Sequence, residues 1–210
     1  MPLAEVFGIA ITGQGIPPDE EPGMEATSHF EPTDAAYSFG TAAAQVSVDP
    51  LTGEFDVERF VLVHDAGTVV NPQVVDGQVR GALAQGFGAA LTEELLYDPD
   101  TGQLVNGSMV DYFPPTVADL PPIELLHTQV PSPVTPFGIR GVGEAGTIPP
   151  GAAVANAVCD ALAEHQVELD SLPITPESVW RALSRRAAPD ASDEHLAPAP
   201  GELPDGGPGY

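Results

Sequence analysis

Between Asn71 and Leu95 an apolar residue returns at every fourth position: Val75, Val79, Leu83, Phe87, Leu91 and Leu95. That spacing follows one face of an α-helix. Asn71-Pro72 supplies a side-chain cap and a proline suited to the first helical position. The same helix carries Gly77, Gly81, Gly86 and Gly88, each costing roughly 0.5–1 kcal/mol against alanine in a helix interior. Such a cost is offset where another backbone or a ligand approaches closely, so the helix needs a partner layer. Gln78 and Gln85 share a face beside Gly81. They read either as the polar rim of a helix packed on a sheet or as two amides meeting a polar ligand.

The segments on either side supply that layer. Residues 37–48 are small and β-branched, with Phe39, Val46 and Val48, and residues 55–63 alternate strongly; across the turn Asp49-Pro50-Leu51-Thr52-Gly53 they read as a β-hairpin. Residues 104–113 and 123–130 read as further strands, joined by an irregular, proline-rich connection. His127 falls at an alternating position in the second of these, where a lone histidine is more often a surface or satisfied core group than a ligand. Residues 1–13 are apolar enough for a strand or a short helix, so the core is expected to begin close to Met1. Residues 13–23, with three prolines and three glycines, read as a linker. Residues 151–165 predict a small-residue helix in which Cys159 is a small buried apolar group. Thr175 caps another helix that ends at Arg185-Arg186. Its acid at the start and bases at the end suit the helix dipole. The expected division is an ordered region 1–186 and a disordered tail, 187–210, rich in proline, glycine and acids.

Acids outnumber bases by 31 to 6, a formal charge of −25. That balance argues against nucleic acid and anionic membrane surfaces as partners. No apolar run reaches membrane-spanning length, and the N-terminus lacks the pattern of a signal peptide; a cytoplasmic protein is expected. Cys159 is the single cysteine, too few for a disulfide framework, an iron–sulfur cluster or a structural zinc within this chain.

Chemistry concentrates in Phe137-Gly138-Ile139-Arg140-Gly141-Val142-Gly143-Glu144-Ala145-Gly146. Glycines at 138, 141, 143 and 146 allow close approach of the backbone to another group. They present one carboxylate, Glu144, just ahead of the helix that starts near Pro149-Pro150. By itself such a carboxylate is either a solvated loop charge or a positioned base.

Taken together, HDAGTVVNP (64–72), VVDGQVRGALAQGFGAALTEE (74–94), MVDYFPPT (109–116) and PSPVTPFGIRGVGEAGTIPPGAAVANAVCDAL (131–162) resemble, in order and spacing, the C-terminal part of the large, molybdopterin-binding subunit of the xanthine oxidase family of molybdenum hydroxylases. The aldehyde-oxidoreductase and carbon-monoxide-dehydrogenase branches share this motif set. The likeness runs from about Glu21 to about Arg186. It implies an α+β fold, half of a molybdopterin-binding domain with helices packed on a hairpin-based sheet. It implies that Glu144 stands where the family keeps its active-site glutamate, the base that takes a proton from a hydroxyl at the molybdenum. Gln78 stands where a glutamine side chain binds the pterin, with Gly143 beside the cofactor. Arg140 is a further cofactor contact, at a position where the family more often has lysine; the two differ in donor geometry.

The resemblance further implies molybdopterin in its cytosine dinucleotide form, with molybdenum held by the pterin dithiolene rather than by protein side chains. The [2Fe-2S] clusters and FAD would sit on partner chains: an iron–sulfur subunit and an FAD subunit. An N-terminal molybdopterin-binding half on another chain would complete the site around a small-molecule substrate. The substrate, whether purine, N-heterocycle, aldehyde or carbon monoxide, is set by residues outside these motifs. The alternative is a non-catalytic cofactor-binding or structural subunit, or a truncated remnant of such an enzyme.

Overall fold

The hairpin forms as the alternation predicts. In the computed structural model, which describes residues 1–19, 21–25 and 27–187, β1 (Phe39–Val48) pairs antiparallel with β2 (Phe55–Asp65). Between Gln45 and Val46 the register shifts, which leaves Glu58 as the extra residue of β2. The third strand, β3 (Ile123–Thr128), lies parallel to β2, giving the order β1-β2-β3. Parallel neighbours need a crossover. Here α2 (Pro72–Leu91) and the loop that follows it provide one. Asn71 caps α2 as expected, its side chain accepting from the amides of Gln73 (3.1 Å) and Val74 (3.2 Å).

One face of the sheet carries the core. Phe60 and Leu62 from β2 meet Val75, Val79, Leu83 and Phe87 from α2. Val154 and Val158 of α3 (Pro149–Ala161) and Val179 of α4 (Pro176–Ala187) close the same cluster. Phe60 and Phe87 meet edge to face, ring centroids 5.0 Å apart, an arrangement favoured by the aromatic quadrupole. The fold is α+β, helices packed on a small mixed sheet, as the sequence implied.

Residues 1–34 form a separate compact unit. Its helix α1 (Leu3–Thr12) ends at Gly13, whose left-handed backbone (φ 71°) donates to the carbonyl of Ile9. No residue of α1 is buried, so the expectation of a core beginning at Met1 is overturned. The remaining described residues, from Ala35 onward, form the second unit.

Three further expectations are corrected. Residues 104–113 form no strand; only Leu104 makes a bridge, to Tyr97. The buried Asn106 side chain accepts from the Leu96 amide (2.8 Å) and donates to the Glu94 carbonyl, while Tyr112 turns back to the Ser108 carbonyl. Local side-chain bonds of this kind compete with a ladder. The apolar stripe of α2 ends at Leu91, and Leu95 is exposed. The helix expected over 151–165 ends at Ala161 and continues only as a 3-10 turn, Ala163–His165, with Cys159 partly rather than fully buried. In the expected tail, Ala187 closes α4 and residues 188–210 lie outside the described residues.

Candidate active site

The turn that carries Glu144 rests directly on α2. A β-carbon added to Gly146 would fall 2.6 Å from the Leu83 amide nitrogen, 2.9 Å from Ala82 Cβ and closer still to the Val79 carbonyl oxygen. The next residue, Thr147, donates through its hydroxyl to the Ala82 carbonyl at 3.3 Å. At Gly86 an added β-carbon would lie 2.7 Å from both the Thr147 carbonyl and Pro150 Cγ. At Gly86 the close approach expected of an α2 glycine is made by the turn and the start of α3; Gly88 instead meets Glu93 and Pro115. The contacts begin at Val79, the residue after Gln78. Gln78 and Glu144, 66 positions apart in sequence, are thereby brought to one part of the fold, and both side chains are exposed.

The remaining glycines of the site have another character. An added β-carbon at Gly77, Gly81, Gly141 or Gly143 would meet nothing within 4 Å. Gly77, immediately before Gln78, and Gly143, immediately before Glu144, therefore leave space on one side of each residue. Gln85, two turns beyond Gln78, is also exposed. Among the described residues no group of three or more His, Cys, Asp and Glu is placed to hold a metal ion.

Arg140 is placed differently. Its Nε donates to the Val130 carbonyl (3.0 Å) and lies 3.7 Å from Asp65 Oδ1. Nη1 donates to the Tyr37 carbonyl, and the guanidinium stands 5.7 Å from the centre of the Phe39 ring. The arginine thus holds three stretches of chain together at the root of the turn.

Asp65, fully buried at the end of β2, is the other half of that junction. It accepts from the Gly67 amide (2.8 Å), the Thr128 hydroxyl (2.9 Å) and the Val130 amide (2.7 Å). Burial works against its charge. The three hydrogen bonds, helped by Arg140, outweigh burial and hold the carboxyl below its ordinary range. In the sequence Asp65 stands within HDAGTVVNP with no role of its own. Its signal was an aspartate two residues before a glycine, read only as the end of a strand.

His127 is not alone. Its Nδ1 lies 2.7 Å from Nε2 of the buried His64, with the rings edge to face at 4.5 Å. His64 Nδ1 has no partner among the described residues. Burial, then the neighbouring His127, pushes the His64 imidazole below its ordinary value, with Asp65 acting weakly the other way. His64 lines a cavity of about 160 Å³ together with Gly40, Leu62, Ala145 and Pro149.

A sequence profile described as the molybdopterin cofactor-binding domain matches residues 1–121 of this chain. The chain belongs to that family. Among the curated relatives of this cofactor-binding domain, the large subunit of nicotine 6-hydroxylase from Paenarthrobacter nicotinovorans is 44% identical over 162 residues, 77% of this chain and 20% of that protein. The large chain of carbon monoxide dehydrogenase from Hydrogenophaga pseudoflava is 38% identical over 166 residues, 78% of this chain and 20% of that one. Among solved structures, quinoline 2-oxidoreductase from Pseudomonas putida 86 superposes with a TM-score of 0.76 at 43% identity, covering 89% of this chain and 24% of that chain. The chain spans about a fifth of the length of the curated relatives it matches.

Proposed function

We propose that this chain forms part of a molybdenum hydroxylase, an oxidoreductase that hydroxylates an electron-poor carbon with water as the oxygen source. The observation that carries the reading is the packing of Gly146, two residues after Glu144, against the Val79 carbonyl, one residue after Gln78. A carboxylate and an amide, each preceded by open glycine backbone, form a surface that suits a flat, polar cofactor. Molybdopterin, in its cytosine dinucleotide form, would be held here by the Gln78 amide and by the backbone at Gly143. Arg140 contributes to the cofactor site mainly by fixing the turn, because its guanidinium is already engaged by Tyr37, Val130 and Asp65.

When bound, the cofactor supplies a metal-activated hydroxyl and takes up the electrons of the oxidation. Glu144 acts as the general base. Its carboxylate is exposed, and such a group can accept a proton within hydrogen-bond reach. The mobile part of the reaction is thus one proton passing to a Glu144 carboxylate oxygen, on a turn whose backbone is held still.

The other chains of the assembly supply what this one does not. Met109, Val110, Phe113 and Val117 are each at least 60% exposed, and exposed apolar side chains suit contact with another surface. We assign these residues to contact with the rest of the molybdopterin-binding subunit. An iron–sulfur subunit and an FAD subunit carry the electrons away. Among the described residues no helix is long and apolar enough to cross a membrane. Our reading puts the assembly in the cytoplasm.

The decisive variant is Glu144→Gln, purified with its partner chains and compared with wild type for molybdenum content and turnover. Molybdenum is expected to stay bound while turnover falls about 10²–10⁴-fold, the usual worth of a general base. Normal turnover in the variant sinks the base assignment. A wild-type assembly without molybdenum sinks the whole reading.

A further inference from the structure

The turn that carries Glu144 is approached through a strained stretch of chain. Phe137 and Gly138 both have left-handed backbone, φ 59° and 71°. A bulky residue in that region is uncommon and costs energy that the surroundings must supply. The surroundings are the end of β2. The Gly138 carbonyl accepts from the amides of Thr68 and Ser132, both at 3.0 Å, and the Arg140 amide donates to Ala66 (2.9 Å). Gly67 pairs with Ile139, and a β-carbon at Gly67 would run into the Gly138 carbonyl. Residues 66–68 therefore act as a short template for residues 138–140.

What orients this template is the Asp65 carboxylate. Through one buried side chain it bonds the Gly67 amide, the Thr128 hydroxyl and the Val130 amide, and it faces the Arg140 guanidinium. β2, the exit of β3 and the root of the catalytic turn meet at that group. We infer that Asp65 is a positioning residue for Glu144, acting through residues 66–68 and Arg140 to set where the base carboxylate stands. This rests on the reading of Glu144 as the base. Asparagine at this position keeps the shape of the side chain. It lacks the charge facing Arg140, and its NH2 must face either the Gly67 amide, which donates to Oδ1, or both the Thr128 hydroxyl and the Val130 amide, which donate to Oδ2.

The test uses the assembled enzyme. In Asp65→Asn, molybdenum content is expected to match wild type and KM to stay within about twofold. A displacement of about 1 Å at a reacting group costs on the order of 10²-fold in rate, so kcat should fall about a hundredfold. Amides of residues 138–147 should exchange with deuterium at least about tenfold faster, with those of α2 unchanged. Arg140→Lys keeps a charge beside Asp65 but has fewer donors in a different geometry, and its kcat should lie between the two. If Asp65→Asn fails to assemble, Arg140→Met decides, because it leaves the Gly67, Thr128 and Val130 bonds in place. Unchanged exchange over 138–147 in the variant that assembles overturns the inference, as does a kcat loss that merely tracks lost molybdenum. Should Glu144→Gln turn over normally while the exchange result holds, the base assignment fails and the clamp on the turn stands.

Discussion

Gly146 lies against the Val79 carbonyl with no space between them for a side chain. The contact joins the residue after Gln78 to the residue two beyond Glu144, beside the Thr147–Ala82 hydrogen bond and the Gly86–Thr147 approach. Gly146→Ala would force the turn away from α2, because two of its nearest neighbours, the Val79 carbonyl and the Leu83 amide, are backbone. Overpacking of this kind costs typically about 1–3 kcal/mol. Thermal unfolding should register that loss, and turnover of the assembled enzyme should fall further than the stability change explains. Wild-type turnover in Gly146→Ala would mean that the turn can move without consequence.

Acid should weaken this fold in two stages. The buried His64 imidazole titrates below its ordinary value, so the unfolded chain binds that proton more readily than the folded one. The stability His64 contributes is present above about 6.5, the free imidazole value, and declines as pH falls below it. Asp65 also titrates below its ordinary value. Its contribution is present above about 3.9 and is lost only as pH falls through the lower folded value. Denaturant melts of the wild type between pH 7.5 and 5 should show the first decline, and His64→Leu should flatten it. A wild type equally stable across that interval would contradict the buried, neutral histidine.

Asn71 closes the start of α2 through two accepted hydrogen bonds. Asn71→Ala should cost about 0.5–2 kcal/mol and loosen the first turn of α2, which lies one turn before Gln78. Hydrogen exchange at Gln73 and Val74 offers the local measurement. Protection there equal to wild type would show that the cap is dispensable.

What could be read without the structure lay in short-range patterns. The hairpin was legible because alternation and a turn of five residues act over neighbouring positions, and the start of α2 because a cap and a proline act over three. Gln78 and Glu144 became candidates because their glycine-flanked motifs resemble a family. The false strand at 104–113 shows the limit of this reading: its composition suits a strand, but Asn106 and Ser108 find closer partners along the chain.

Tertiary structure decided the rest. That β3 pairs parallel to β2 depends on a crossover through α2, which no local pattern encodes. His127 looked solitary because His64 is 63 residues away, and only strand register places the two rings side by side. Arg140 belonged, on its motif, to the cofactor; the fold gives its guanidinium to Asp65, Val130, Tyr37 and Phe39. The sequence by itself determined which residues stand on which local element and which carry chemical potential, since those follow from periodicity and turn chemistry. Which of them meet was left to packing, because a buried carboxylate such as Asp65 takes its partners from segments that approach only when the sheet and helices close around it.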